Sequence, residues 1–435
     1  MLTDKFRKAS EEYHRKKWFP EKYPDPFGEF IDYISEGMIN DLLESWKEKK
    51  HGSLLDAAHY LFRILPQFRF SEIFHDYRKA LSERLVNDIL PEFAFFYLRI
   101  LTNEESSNLW ASFRHWNDKW ETVLSEWCHS LIQFEEEHSE FMKTFQERLQ
   151  IDASVELSAM EKYLRDTREL FAWQIQNQSQ SKTLPDLLRY FRFQRWENTA
   201  DWNHFSALAK SVSEAFGLSK IPKLRRSFNP AAQFLFPIVP PVRVSLEYGS
   251  AHGPVDALRF LQEFGKGVFY SGMNPDLEIE ERICGDPALP WFWGSIFASI
   301  LTDSSGIKNF IGLGAEGLER EMEFVMEFWQ RQEMTFSLFR SKASGDWNNL
   351  QDHFASLWET AFSMDSPRFL CLYDLSRSTE SIYKALAMSR SKDAIHILRT
   401  KYGSKWFSSA KWTKRMRDYF WEGNRLTMEN VMKDI

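Results

Sequence analysis

The stretch NLWASFRHWNDKWETVLSEWCHSLIQF, residues 108–134, sets Trp116, Trp120, Leu124, Trp127 and Leu131 three and four residues apart. Only a helix turning about 100° per residue gathers such positions onto one face. An aromatic stripe of this kind is ordinarily core, because large apolar side chains that face one way need neighbours to pack against. PEFAFFYLRIL and LPDLLRYFRFQRW repeat the pattern, one starting at Pro91 and the other with Pro185 in a position that suits a first helical turn. Glycine and proline are scarce, at 18 and 16 of 435 residues, which argues against a turn-rich all-β chain and for long helices. The 17 Trp and 38 Phe supply side chains large enough to fill the spaces between them. A chain of 435 residues exceeds what one hydrophobic core usually serves, so two lobes or one elongated helical body is expected.

The texture changes between residues 218 and 256. GLSKIPKLRRSFNP reads as loop, and in LFPIVPPVRVSLEYGSAHGP the alternation of Val242, Val244 and Leu246 with polar residues predicts a half-buried strand. From Pro287 onward the helical pattern returns, as in PWFWGSIFASILTD and WTKRMRDYFW. QNQSQSKT at 176–183 is the best candidate for a flexible connection. The net charge of −7 gives no reason to expect a nucleic-acid partner. The last 55 residues are basic, with 12 Lys and Arg against 5 Asp and Glu, and read as a solvated helix face, with a surface for an acidic partner as the alternative. Cys128, Cys284 and Cys371 are too far apart and too few for a metal or disulfide framework, which points to a reducing compartment. Residues 1–20 are charged throughout, without the apolar centre of a signal peptide, and no run of 18 apolar residues follows. A soluble, cytoplasmic protein without a membrane partner is expected.

The most informative stretch is ALRFLQEFGKGVFYSGMNP, residues 257–275. In a metallopeptidase helix reading HExxH, two histidines four residues apart converge on zinc and the glutamate serves the metal-bound water as general base. Here the pentad is Gln262-Glu263-Phe264-Gly265-Lys266: the glutamate is present and both histidine positions are changed. The pentad is preceded by a strand and a loop reading GSAHGP, and followed by RICGDPALPWFWGSIFASIL. That order resembles the zinc core of the thimet oligopeptidase and oligoendopeptidase F superfamily, whose bacterial members read roughly ALLHEAGHALH and then RLGDNAVTEGYAFLFE. Leu261, Glu263, Gly265, Arg282, Gly285, Asp286, Ala288 and Phe297 carry the likeness, together with Gly403, Trp406, Trp421 and Gly423 in KYGSKWFSSAKWTKRMRDYFWEGNRLTMENVM. The resemblance covers residues 218–435, taken as a degenerate metallopeptidase-like core with C-terminal helices, while residues 1–217 agree only in being helical. It implies a mostly α, elongated, two-lobed clam-like fold with a small β insertion near residues 235–250.

The same resemblance places the third zinc ligand, a glutamate, at Trp291. Gln262, Lys266 and Trp291 offer an amide, an ammonium and an indole where the family has two imidazoles and a carboxylate, so no zinc and no other cofactor is expected. Without metal nothing lowers the pKa of an attacking water, and Glu263 keeps only a vestigial general-base position. Two readings of Glu263 remain open. Arg259, Glu263 and Lys266 form a charge ladder on a solvent-facing side, or the Lys266 ammonium lies near the vacated metal position and neutralises Glu263 inside a groove. Trp291, with Phe292 and Trp293, fills core, or forms an apolar floor for a peptide. His252 in the preceding loop and Tyr373 in SPRFLCLYDLSRSTESIY are further candidates for the cleft, the tyrosine because the family sets one over the substrate oxyanion. His353 with Asp352 and Glu359 lacks convergent metal spacing, no GxSxG, P-loop or GxGxxG is present, and Cys284 has no evident histidine to activate it. The expected function is a catalytically inactive relative that binds a peptide or protein in the old cleft. The alternatives are an interaction scaffold with a collapsed cleft and an oligopeptidase with a non-standard site around Glu263. The oligomeric state is left open.

Overall fold

The structure, a computed structural model, describes residues 36–49, 52–179, 183–197, 204–312, 317–377 and 380–435. The segment 1–20 read for a leader, and residues 180–182 of the connection 176–183, lie outside them. Helices dominate from the first described residues, beginning with Glu36–Lys49 and α1, Gly52–Arg69. The tryptophan stripe sits on α2, Asn103–Glu137, a helix of 35 residues. A capping box starts it: the Thr102 hydroxyl accepts from the Glu105 N–H at 3.4 Å while the Glu105 carboxylate accepts from the Thr102 N–H at 3.1 Å. Trp116, Leu124, Trp127 and Leu131 are buried, and the Trp116 indole N–H is satisfied by the Ala80 carbonyl at 2.9 Å. Trp120, at the margin, is half-buried and donates to Glu83 at 2.8 Å. Pro185 falls in the first turn of the helix Leu184–Tyr190, as expected.

A three-stranded sheet separates this helical region from the next. Its strands are β1, Lys223–Arg226, β2, Gln233–Val239, and β3, Arg243–Tyr248, in the order β1-β3-β2, with β1 parallel and β2 antiparallel to β3. Two expectations are corrected here. KLRR, read as loop, is an edge strand whose cations Lys223, Arg225 and Arg226 project into solvent, a composition that an edge tolerates. Val242 is 74% exposed and precedes β3, in which Val244, Ser245 and Leu246 are all buried, because the central strand is covered on both faces and needs no alternation. Among the described strands β2 too lies at an edge, a position that accommodates Pro237.

α3, Pro254–Gly272, follows Gly253, whose φ of 141° only glycine adopts readily, and is buried on almost every side. It packs on α4, Ala288–Ala298, with the backbones in close approach: a Cβ at Gly265 would lie 2.8 Å from the Trp293 carbonyl oxygen, and one at Gly294 2.6 Å from that of Gln262. Beyond these run α5, Leu318–Gly345, α6, Ser381–Tyr402, and α7, Ala410–Glu422. Buried apolar side chains form a continuous cluster from Ile39 to Val431, so the regions before and after the sheet share packing. A buried ion pair also ties them, Arg99 to Asp256 in the first turn of α3, with side chains 5% and 0% exposed. Among the described residues no helix is long and apolar enough to cross a membrane.

Candidate functional site

α1 and α3 face each other across a cavity of about 470 Å³. α1 lines it with Asp56, His59, Tyr60 and Arg63, whose spacing of three, four and seven residues from the first defines one helix face. β2 contributes Gln233, Phe234, Leu235 and Pro237, and α3 contributes Glu263, Lys266 and Tyr270. The loop Cys284–Pro287 and Trp291 in the first turn of α4 complete the wall, with Glu380 and Asn424 at its margin. A separate hollow of about 530 Å³, lined by Arg114, Asp118, Glu121 and Arg368 among others, touches none of these residues.

The pentad of α3 is not a solvated ladder. Lys266 Nζ lies 2.5 Å from Glu263 Oε1, with side chains only 11% and 16% exposed. The same ammonium sits 3.6 Å from the centroid of the Trp291 ring, and Lys384 of α6 lies 5.0 Å from that centroid. Burial depresses the Lys266 pKa, Glu263 opposes the depression, and Lys384 adds to it. The carboxylate and the ring face together hold the charge that burial disfavours. Trp291 is therefore a cavity wall that carries a cation, whereas its neighbours Phe292 and Trp293 are fully buried. The ring is free to take this position because Gly294, one turn later, lets the Lys266 stem pass: a Cβ there would lie 3.0 Å from Lys266 Cγ.

The other expected residues fall elsewhere. Gln262 is buried against Gly294 and does not line the cavity. Arg259, a turn before Glu263, is half-buried and also outside the lining. His252 is not a cavity residue: its backbone N–H donates to Asp256 at 2.7 Å and its ring meets Phe96 edge-on at 5.9 Å. Tyr373 is likewise corrected from cleft to core, since it is fully buried against Phe113 and Trp116 and its hydroxyl donates to the Pro91 carbonyl at 3.3 Å. The three cysteines are buried without disulfides, and burial lifts the Cys128 thiol to about 12.

Sequence reasoning missed the whole α1 wall and marked the loop residue Asp286 only as part of the framework, not as a cavity residue. Asp286 is buried, accepts from the N–H groups of Ala288 at 2.8 Å and Met428 at 2.7 Å, and is raised to about 6 by that burial. Asp56 is 3% exposed and raised to about 7, chiefly by burial, with Arg148 opposing and Asp286 and Glu281 reinforcing. His59 stacks on Phe145 at 3.6 Å and is held well below the usual histidine range by burial and by Arg63. The donor set does not suit zinc: at the three positions the resemblance assigns to ligands stand an amide turned into packing, an ammonium engaged with a carboxylate, and an indole. Among the described residues no group of three or more His, Cys, Asp or Glu side chains is placed to hold a metal ion.

No protein-family model and no curated relative matches the sequence. Solved structures do. One assigned as an oligoendopeptidase F from Bacillus anthracis str. Ames superposes with a TM-score of 0.63 over 96% of this chain and 80% of that one, at 9% identity. Another structure assigned as an oligoendopeptidase F gives 0.64 over 97% and 81%, at 10% identity. PZ peptidase A with an inhibitor gives 0.63 over 98% and 82%, at 9% identity. The superpositions include the helices before residue 218, so the shared fold extends beyond the stretch in which the sequences resemble one another.

Proposed function

We propose that this chain, built on the fold of the oligoendopeptidase F structures, binds a peptide segment in the cavity between α1 and α3 and does not hydrolyse it through zinc. The observation that carries this reading is the Lys266 ammonium, seated between Glu263 at 2.5 Å and the Trp291 ring at 3.6 Å on the cavity wall. A carboxylate engaged with an ammonium at that distance is a counter-ion and not a base poised to take a proton from water. A cation on the wall also repels a divalent metal. The cavity supports binding over a collapsed scaffold, because Trp291 borders open volume where a plugged core would surround it.

The test joins metal analysis to two assays on the purified chain. Zinc well below one equivalent, no cleavage of a pool of internally quenched peptides, and retention of the same pool on the immobilised protein are expected. Stoichiometric zinc with cleavage lost in Glu263→Gln would overturn the reading in favour of a working peptidase. Loss of retention in Trp291→Ala, with the fold intact by circular dichroism, ties binding to this cavity.

A further inference from the structure

Two residues of the cavity lining, Asp56 and Gln233, each bury a side-chain acceptor that no donor among the described residues reaches. Asp56 Oδ1 is one: its side chain is 3% exposed, and the hydrogen bond from Arg148 goes to the other oxygen. Gln233 Oε1 is the second, and its assignment is fixed because Nε2 donates to the Asp256 carbonyl at 3.1 Å. Buried acceptors of this kind are costly until a donor reaches them. The charges of the wall select what that donor can be. Four carboxylates line the cavity, Asp56, Glu263, Asp286 and Glu380, against two cations, Arg63 and Lys266. Arg63 pairs with Glu380 and Lys266 with Glu263, so neither cation is left for an anionic ligand. Asp286 is held by two backbone N–H groups. Asp56 pairs with Arg148 through one oxygen, and its other oxygen is a buried acceptor that no described donor reaches.

We propose that the cavity takes the ammonium group of a peptide, with Asp56 Oδ1 and Gln233 Oε1 accepting two of its three N–H donors. This rests on the peptide-binding reading and names the group recognised. An ammonium is matched to the site in both charge and donor count, and the aromatic rings of the lining suit the apolar side chain that accompanies it. The amino terminus and a lysine side chain carry the same chemistry. Proton uptake by Asp56 competes with such a ligand. The groups that bear on Asp56 are Arg148, which favours its ionised form, and Asp286 and Glu281, which oppose it, while His59 on the same face of α1 is held neutral. Since Asp56 is raised to about 7, it is mostly protonated well below neutrality, and the ammonium site strengthens as pH rises toward that value.

The experiment uses the full chain and a pool of random pentapeptides in four forms: amino terminus free or acetylated, each with or without lysine. Peptides retained by the protein are identified by mass spectrometry. Free-amine or lysine-bearing peptides are expected to be retained about ten-fold or more over acetylated, lysine-free ones, and to lose about ten-fold between about pH 7 and pH 5.5. Retention of acetylated lysine-bearing peptides alone assigns the group to a side chain, and retention of free lysine-free peptides assigns it to the terminus. Asp56→Asn, which keeps the shape of the side chain, is expected to abolish the preference. The pH arm needs no variant and stands even where Asp56→Asn fails to fold. Equal retention of all four forms overturns the ammonium site and leaves peptide binding intact, whereas retention of none overturns both.

Discussion

Glu263 and Lys266 can be tested as a unit by a double-mutant cycle. With side chains 16% and 11% exposed, the pair is close to fully buried, and removing one partner of such a pair costs about 3–5 kcal/mol because the other charge is stranded. Lys266→Met keeps the stem that packs over Gly294, strands the Glu263 carboxylate and loses the contact with Trp291, and is expected to cost about 3 kcal/mol, the lower end because some exposure remains. Glu263→Gln leaves the ammonium on the ring face and is expected to cost about 2 kcal/mol. The double variant removes both charges, so only the ring contact is missing, for a cost of about 2 kcal/mol and a coupling of about 3 kcal/mol. Urea midpoints at matched slopes supply the four values. The pH dependence gives an independent check. In Glu263→Gln the buried Lys266 loses the partner that opposes its depressed pKa, so the unfolded chain binds more protons than the folded one. The stability of that variant therefore rises with pH relative to the parent across the range between the depressed pKa and the ordinary lysine value. A coupling below about 0.5 kcal/mol, the level of an exposed i,i+3 or i,i+4 pair, would refute a buried pair and restore the solvent ladder.

Two more outcomes follow from the geometry. Arg99→Met strands Asp256, which is 0% exposed at the head of α3, and is expected to cost about 3–5 kcal/mol by urea unfolding; a loss under about 1 kcal/mol contradicts a buried tie between the two regions. The triple variant Gln262→His, Lys266→His, Trp291→Glu is expected to acquire one zinc by mass spectrometry while the parent and the single variants do not. A folded triple variant without zinc shows that the three positions do not converge as the resemblance requires.

What could be read from the sequence depended on how local the signal was. Trp116, Leu124, Trp127 and Leu131 share a face whatever packs against it, so α2 and its buried side follow from spacing alone. Gly265 and Asp286 were recognisable as part of a framework, and the structure gives the reasons in a close helix crossing and a carboxylate capping two backbone N–H groups. KLRR was missed because a strand at a solvent edge has no apolar alternation to display. The α1 wall was missed for a different reason. Asp56, His59, Tyr60 and Arg63 stand at helical spacing in DAAHYLFR, but a polar face on a helix reads as solvated until a second element some 200 residues later in the chain packs opposite and encloses it. Tyr373 failed in the opposite sense, since a tyrosine in an apolar run is core unless something distant opens a cavity beside it. Long-range packing decides all three cases, and it leaves no trace at the residues themselves.

Glu263 needs no catalytic explanation. Either charge alone, buried at this point of α3, is expected to destabilise the fold more than the pair does, because an unpartnered buried charge keeps its full desolvation cost. Changing Glu263 strands Lys266, and changing Lys266 strands Glu263, so each residue penalises the loss of the other without any reaction being served. The Trp291 ring strengthens that mutual dependence by favouring the cation directly, which makes the glutamate the cheaper of the two to lose and the lysine the dearer. If the glutamate were kept for chemistry, its loss would change turnover while the pair's coupling stayed small. If it is kept as a counter-ion, the coupling is large and a variant lacking both charges folds and still binds. The lone glutamate of a metallopeptidase-like helix is thus evidence about the charge placed beside it before it is evidence about catalysis.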